Sequence, residues 1–262
     1  MGSLTPSSRL LAVIMAVVLL SCAGIALTTA QSPPRSPSDT VREFYKAMRE
    51  KRFREAFALS IYKPAIEGLK PEEFEDLRPD FERLAAVLPE QVEINGEQIS
   101  ADAATVFVKV KGDEKPEQTE PVTLIRVGGN WIVGDKENQA IVQKAGKTFF
   151  FKARIDTHHS EVQAMLQRIA VAQLVYSQQY AGKFGDMAAL ILAALIPKDL
   201  EGTESTGYRF RITVSPDGKN WSAAAEPAKY GRSGRLSFFM DKSGVRSGDT
   251  AGKPLPASPL KN

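Results

Sequence analysis

The first half of the chain opens with the spacing of amphipathic helices. An i, i+3, i+4, i+7 pattern, which places side chains on one helix face, is formed by Val41, Phe44, Tyr45 and Met48. Thr40 and Glu43 have the spacing of a capping box, so we expect this helix to begin there. Further helix is predicted in the segments FREAFALS and PEEFEDLRPDFERLAAVL.

From Gln91 onward the apolar period changes to two, which is the period of a half-buried strand. The segment QVEINGEQIS predicts strand residues on both sides of an Asn-Gly turn, and ATVFVKVKGD alternates valines with other residues. PVTLIRV and NWIVGD flank Gly128 and Gly129, which predict a tight hairpin. Helices followed by antiparallel strands predict an α+β module.

The second half begins with TFFFKARIDTHH, where we expect a strand or a buried connector at Phe149, Phe150 and Phe151. DTHHSE predicts the first turn of a helix. One stripe of that helix carries Val162, Met165, Leu166, Ile169, Gln173, Tyr176 and Tyr180. Its polar side has few basic residues, so packing on a sheet is favoured over a membrane surface.

Shorter elements follow this helix. DMAALILAALIP predicts a short apolar helix ended by Pro197, and TGYRFRITV, WSAAAEP and GRLSFFMDKSGVRSGD predict an antiparallel sheet. The whole pattern predicts an α+β protein with two small domains, at residues 39–147 and 148–249. A signal peptide (1–30) and a Pro/Ser linker (31–38) precede them, and a Pro-rich disordered tail (250–262) follows.

The N-terminal segment has the layout of an export signal. Arg9 precedes an apolar run from Leu10 to Leu20, and small residues follow, which predicts cleavage between Ala30 and Gln31. Two alternatives stay open: LLSC resembles a lipobox that would lipidate Cys22, and residues 10–27 reach the lower length of a membrane anchor. All three alternatives predict a periplasmic or extracellular protein, with membrane attachment only through this segment or a lipid.

The composition of the chain argues against several classes of function. The 34 basic and 31 acidic residues are nearly balanced along the chain, which gives no electrostatic argument for nucleic acid. A single cysteine excludes a disulfide framework. The two histidines, His158 and His159, are adjacent and point about 100° apart on a helix, so they seldom share a metal ion even with Asp156 and Glu161 nearby.

The sequence contains two other candidate sites, one for acid–base catalysis and one for calcium. Glu93, Glu97 and Asp102 could act as bases in a pocket but lie where strand edges and turns carry solvated charges. Asp241, Gly244 and Asp249 could imitate a calcium loop, although calcium needs six or more oxygen ligands. We therefore expect no catalytic residue, no cofactor and no metal site.

Two family resemblances add to this description. DTVREFYKAMREKRFREAFALS, ISADAATVFVKV and TLIRVGGNWIV resemble exported members of the cone-shaped nuclear-transport-factor-2-like superfamily. This resemblance implies a curved sheet closed by helices around a pocket, although the histidine of enzymatic members is missing here. LQRIAVAQLVYSQQYAGKFGDMAAL, TGYRFRITV and AAAEPAKYGRSGRLSFFMDKSGVR resemble the globular head of type IV pilins and type II secretion pseudopilins.

The resulting expectation is an exported, non-catalytic binding or scaffold protein of the bacterial cell envelope, whose partner is another envelope protein or a surface component. One alternative is a carrier that holds a small apolar ligand in the cone. Another is a hydrolase or isomerase built on the same cone. The last alternative is a minor component that docks on a pilus or a type II secretion system. A carrier requires a closed apolar pocket, whereas a scaffold requires a filled cone and an exposed apolar patch.

Overall fold

Four helices precede the first antiparallel sheet. The computed structural model describes residues 35–89, 91–110, 118–202 and 207–256. It begins with α1 (Pro37–Arg49), α2 (Phe53–Ala58), α3 (Lys63–Glu67) and α4 (Pro71–Ala86). Strands β1 (Glu93–Ser100), β2 (Ala103–Val110), β3 (Gln118–Val127) and β4 (Asn130–Val133) then pair in sequence order.

The second sheet follows a long helix. Helix α5 (Lys136–Ala145), a 3₁₀ turn (Gly146–Thr148), α6 (Phe149–Gln179), α7 (Met187–Leu192) and a second 3₁₀ turn (Lys198–Glu201) lead to it. Strands β5 (Tyr208–Val214), β6 (Trp221–Pro227), β7 (Leu236–Asp241) and β8 (Gly244–Asp249) also pair in sequence order, all antiparallel. The protein is therefore of the α+β class with two antiparallel sheets, as the sequence predicts.

Two local predictions in the first half are wrong. Helix α1 begins at Pro37, because the Ser36 side chain accepts a hydrogen bond from the Asp39 amide at 3.1 Å and caps the helix. Thr40 lies inside the helix and donates to the Ser36 carbonyl. The predicted turn at Asn95-Gly96 is a bulge within the continuous strand β1, since pairing with β2 shifts register there and then continues.

Helix α6 also begins earlier than predicted. Phe149 to Phe151 form its first turn instead of a strand or connector, and residues 156–161 lie inside the helix instead of at its start. The rings of Phe57, Phe81 and Phe150 pack against each other at centroid distances of 4.9–5.2 Å. Aromatic contacts from α2 and α4 thus bury this first turn in the core of the first half.

Helix α6 contributes to the cores of both halves. Its C-terminal part packs Leu166 and Ile169 against Tyr208 and Phe238 of the second sheet. With 31 residues it is roughly 46 Å long, so one rigid element joins the helical first half to the second sheet. All described residues belong to one compact unit. The division into domains after residue 147 stays a prediction.

The remaining predictions concern the export segment at the N-terminus and the tail at the C-terminus. Cys22, Ala30 and Gln31 lie outside the described residues, as does the whole apolar leader. Within the described part of the chain, no helix has the length and apolar character needed to cross a membrane. Residues 250–256, predicted as disordered, are held against β7, because Ser237 Oγ donates to the Lys253 carbonyl at 2.7 Å.

Candidate functional site

A charged groove lies between α4, α6 and the β6–β7 loop. It is open to solvent, has a volume of about 770 Å³ and is bordered by Asp76, Asp80, Arg154, His158, Lys229 and Arg232. We call this region the clamp groove. Its volume falls in the range of small-molecule sites, which is roughly 300–1,000 Å³.

Arg154 forms the floor of the clamp groove. Its guanidinium donates from Nε to Asp80 Oδ2 at 2.7 Å and from Nη1 to Asp76 Oδ2 at 3.3 Å. Nη2 donates to Asp80 and to the Asp76 carbonyl. Only 10% of the Arg154 side chain is exposed. Because the two aspartates lie one turn apart on α4, a single arginine of α6 pairs with both.

Arg232 connects the β6–β7 loop to the same helices. Its Nη2 donates to Glu73 Oε1 at 2.8 Å, and its guanidinium lies 4.2 Å from the centroid of the Phe151 ring. The Lys70 backbone amide and, next, the Arg232 guanidinium lower the pKa of Glu73 below its usual value. Glu73 is therefore an anion at neutral pH and anchors the loop.

The β6–β7 loop is folded into a tight turn. The Ser233 amide donates to the Lys229 carbonyl at 2.9 Å, and the Lys229 amide donates to Ser233 Oγ at 3.0 Å. The Ser233 carbonyl in turn accepts from Nδ1 of His158 at 2.7 Å. The turn thus brings Lys229, Arg232 and His158 to one wall of the clamp groove.

His159 faces a different part of the loop. Its Nε2 accepts hydrogen bonds from the backbone amides of Arg235 at 3.2 Å and Leu236 at 3.3 Å. Both donors carry a fixed hydrogen, so His159 is neutral with its proton on Nδ1. Burial lowers the pKa of His159 below its usual value; His158 and Arg235 lower it further, against an opposing effect of Asp156.

We expect His159 to make stability depend on pH. The unfolded state has the ordinary pKa of about 6.5 and binds a proton first as the pH falls, so stability decreases below that value and levels off once the folded ring is protonated. His159→Gln keeps an acceptor near the two amides and removes the titration. The melting temperature of the variant, measured from about pH 7.5 to about pH 5, should therefore fall less than that of the wild type. Parallel melting curves for the two proteins would contradict this assignment.

The structure does not bring the sequence-predicted candidates together. Glu93 faces Lys109 across the first sheet, Glu97 accepts from Ser38, and Asp102 lies in the exposed β1–β2 turn. The two histidine rings contact different loop groups, as described above. Among the described residues, no group of three His, Cys, Asp or Glu side chains could hold a metal ion.

The calcium candidates are also separate. Asp241 accepts a hydrogen bond from the Ser243 amide at 2.8 Å, as in an ordinary Asp-containing turn. Asp249 pairs with Arg235 at 3.1 Å and accepts from the Tyr230 hydroxyl at 2.8 Å. Sequence reasoning missed the clamp groove. The available signal was the i, i+4 spacing of Asp76 with Asp80 and of Arg154 with His158.

The face of the first sheet that packs on α1 is filled by side chains. Val41 of α1 packs on Val106 and Leu124, and all three are fully buried. Trp131 covers the end of this cluster beneath the Arg126 guanidinium, which lies 4.5 Å from the ring. The interface between α1 and the first sheet is thus packed, and a cavity of about 340 Å³ lies beside it, lined by Ile61, Trp131 and Ile132.

The fold and the clamp groove define an α+β protein with two antiparallel sheets and a charged groove between its helices and a loop. No known protein family matches the sequence, and no curated protein is similar to it. A solved structure from Campylobacter jejuni, proposed to be an NTF2-like transpeptidase, is similar with a TM-score of 0.28 and 18% identity. The similarity covers 38% of this chain and 97% of that chain. A TM-score of this size carries no argument about activity. The comparisons give no support to the pilin-like resemblance.

Proposed function

We propose that this protein is a non-catalytic binding or scaffold protein of the bacterial cell envelope, which engages its partners through surface grooves. The observation that carries this proposal is the packed interface between α1 and the first sheet, where Val106 and Leu124 have no exposed surface. An apolar carrier needs an internal cavity at this position. The carboxylates of the clamp groove are paired with basic side chains, which fits binding and positioning better than proton transfer.

A truncation inside the sheet tests whether the interior is packed. Val106→Ala should lower the free energy of unfolding by about 2 kcal/mol, because two buried methyl groups are lost and a cavity remains. The matched control is Val127→Ala in the same sheet, because Val127 is 44% exposed. We expect the control to stay within about 0.5 kcal/mol of the wild type in urea denaturation.

Extraction of the purified protein with organic solvent, followed by mass spectrometry, gives the complementary measurement. We expect no stoichiometric apolar ligand. A bound lipid or other apolar molecule, together with a Val106→Ala variant as stable as the wild type, would replace the binding-surface proposal with the carrier alternative.

The export component of the proposal rests on the leader segment alone. A mature protein that begins at Gln31 would support ordinary cleavage, whereas a diacylglycerol-modified Cys22 would support the lipoprotein alternative. Intact mass measurement after expression in a bacterial host separates the two outcomes. An unprocessed chain found in the soluble cytoplasmic fraction would contradict export.

Docking on a pilus or a secretion apparatus is a second candidate. It is favoured by an exposed apolar pair on α6, where Val171 is 62% and Leu174 is 59% exposed. These residues are three positions apart, so they share one helix face. A double Val171→Glu and Leu174→Glu variant should lose binding to isolated pseudopilins if this candidate is correct. Ile141→Glu, at an apolar position of α5 that is 53% exposed, serves as the control.

A further inference from the structure

His158 presents an unused hydrogen-bond acceptor at the clamp groove. The residue is only 7% exposed, and its Nδ1 lies 2.7 Å from the Ser233 carbonyl. A carbonyl oxygen can only accept, so Nδ1 carries the hydrogen and Nε2 of the neutral ring is an acceptor. Among the described residues, Nε2 has no hydrogen-bond partner. This nitrogen is not fully buried, and His158 borders the groove, so a donor on a ligand can reach it.

The acidic groups of the groove are already paired, and Glu82, which also lines it, lies 3.1 Å from Lys51. Asp80 accepts from Arg154 through Oδ2 and from Arg83 through Oδ1, and Asp76 accepts from Arg154 at 3.3 Å. These contacts leave little capacity to bind a cation. The groove is therefore not suited to a positively charged ligand.

The basic groups on the opposite wall keep free capacity. Lys229 approaches Asp76 only to 3.6 Å, and most of its side chain is exposed. Arg232 uses Nη2 for Glu73, whereas its Nε and Nη1 have no acceptor within the part of the chain that the structure describes. The Lys229–Ser233 turn holds these donors beside His158. Within the described residues, the groove thus offers a ligand one hydrogen-bond acceptor and several cationic donors.

We propose that the clamp groove binds a carboxylate that carries an amide N–H on its α-carbon, as in the C-terminal residue of a peptide or an N-acyl amino acid. The carboxylate accepts from Lys229 and Arg232, and the neighbouring N–H donates to Nε2 of His158. A dianion such as phosphate suits the site less well, because Asp76, Asp80 and Glu73 lie around it. This inference rests on the proposed binding function and names its ligand class.

The test is a titration of the full chain observed at the imidazole nitrogens. The chain has two histidines, so His159→Gln assigns both sets of ¹⁵N resonances. At about pH 7.5, N-acetylglycine should shift the Nε2 resonance of His158 in a saturable manner, while that of His159 stays unchanged. N-acetylglycinamide, which lacks the carboxylate, and acetate, which lacks the N–H, should bind at least about tenfold more weakly, since the first loses the charge-assisted hydrogen bonds and the second loses the hydrogen bond to His158.

Two variants and a longer peptide complete the binding test. Lys229→Ala is on the surface and should weaken N-acetylglycine binding about tenfold, whereas Arg168→Ala, exposed on α6 outside the groove, should not change it. An acetylated tripeptide ending in glycine that binds more tightly than N-acetylglycine identifies a peptide C-terminus as the source. Equal binding identifies the free N-acyl amino acid.

Two outcomes overturn the inference. One is a His158 resonance that no probe shifts, and the other is an equal response to N-acetylglycinamide or to inorganic phosphate. If the probes fail while the first sheet remains packed and free of apolar ligand, only the ligand class is wrong. A ligand found inside the first sheet would instead overturn the proposed function itself.

Discussion

Arg154→Ala is expected to lower the free energy of unfolding by about 2–3 kcal/mol, because it removes the most buried partner of two partly exposed carboxylates between α4 and α6. The arginine is 10% exposed, and Asp76 and Asp80 are 28% and 20% exposed. A loss of this size is a large part of the roughly 5–15 kcal/mol that stabilises a typical protein. Urea denaturation followed by circular dichroism measures the change.

Companion variants separate charge from packing at this position. Arg154→Lys keeps the charge but lacks the fork that reaches both aspartates, so an intermediate loss is expected. Adding Asp80→Asn to Arg154→Ala should restore about 1 kcal/mol, because it removes a carboxylate that has lost its more buried partner and keeps only the exposed Arg83. Arg168→Ala on the same helix is the matched control and should change stability by less than about 0.5 kcal/mol. An Arg154→Ala variant as stable as this control would show that the ion pairs of Arg154 do not stabilise the fold.

The fold class could be predicted because periodicity is a local property. The hairpin at Gly128-Gly129 and the strand ending at Pro227 are formed as the sequence indicates. The start of α6 could not be predicted, since three consecutive phenylalanines have no period that distinguishes a helix from a strand. Their helical conformation is favoured by contacts with Phe57 and Phe81, which are distant in the sequence.

The clamp groove was beyond sequence reasoning for the same physical reason. Arg154 meets Asp80 across 74 residues, and Arg232 meets Glu73 across 159 residues. Each charge alone is typical of a solvated surface position. The nearly even charge balance of the chain indicates only that pairing is available, whereas the pairing itself is determined by how α4, α6 and the loop pack. The acceptor role of His158 likewise depends on a contact with Ser233, 75 residues away.

Gln173 is a different case, because its stripe position was predicted but its role was not. The residue lies among the apolar positions of α6 and is fully buried. Its Nε2 donates to the Gly185 carbonyl at 2.6 Å, and its Oε1 accepts from the Gly185 amide at 3.0 Å. One side-chain amide thus satisfies both backbone groups of a buried glycine in the α6–α7 loop. Apolar periodicity cannot reveal a polar group that is matched in this way.

Gln173→Leu should therefore be strongly destabilising although leucine fits an apolar stripe. It leaves the Gly185 N–H and C=O buried without partners, at about 1–3 kcal/mol each, so we expect a total loss of about 2–6 kcal/mol. Hydrogen exchange should rise first at the amides of residues 182–190, because the loop is released before the sheet. Gln178→Leu, exposed on the same helix, is the matched control and should leave both measurements unchanged. Retained protection of the Gly185 amide in Gln173→Leu would mean that the loop is held by its packing against Tyr176 and Leu190 and not by the glutamine.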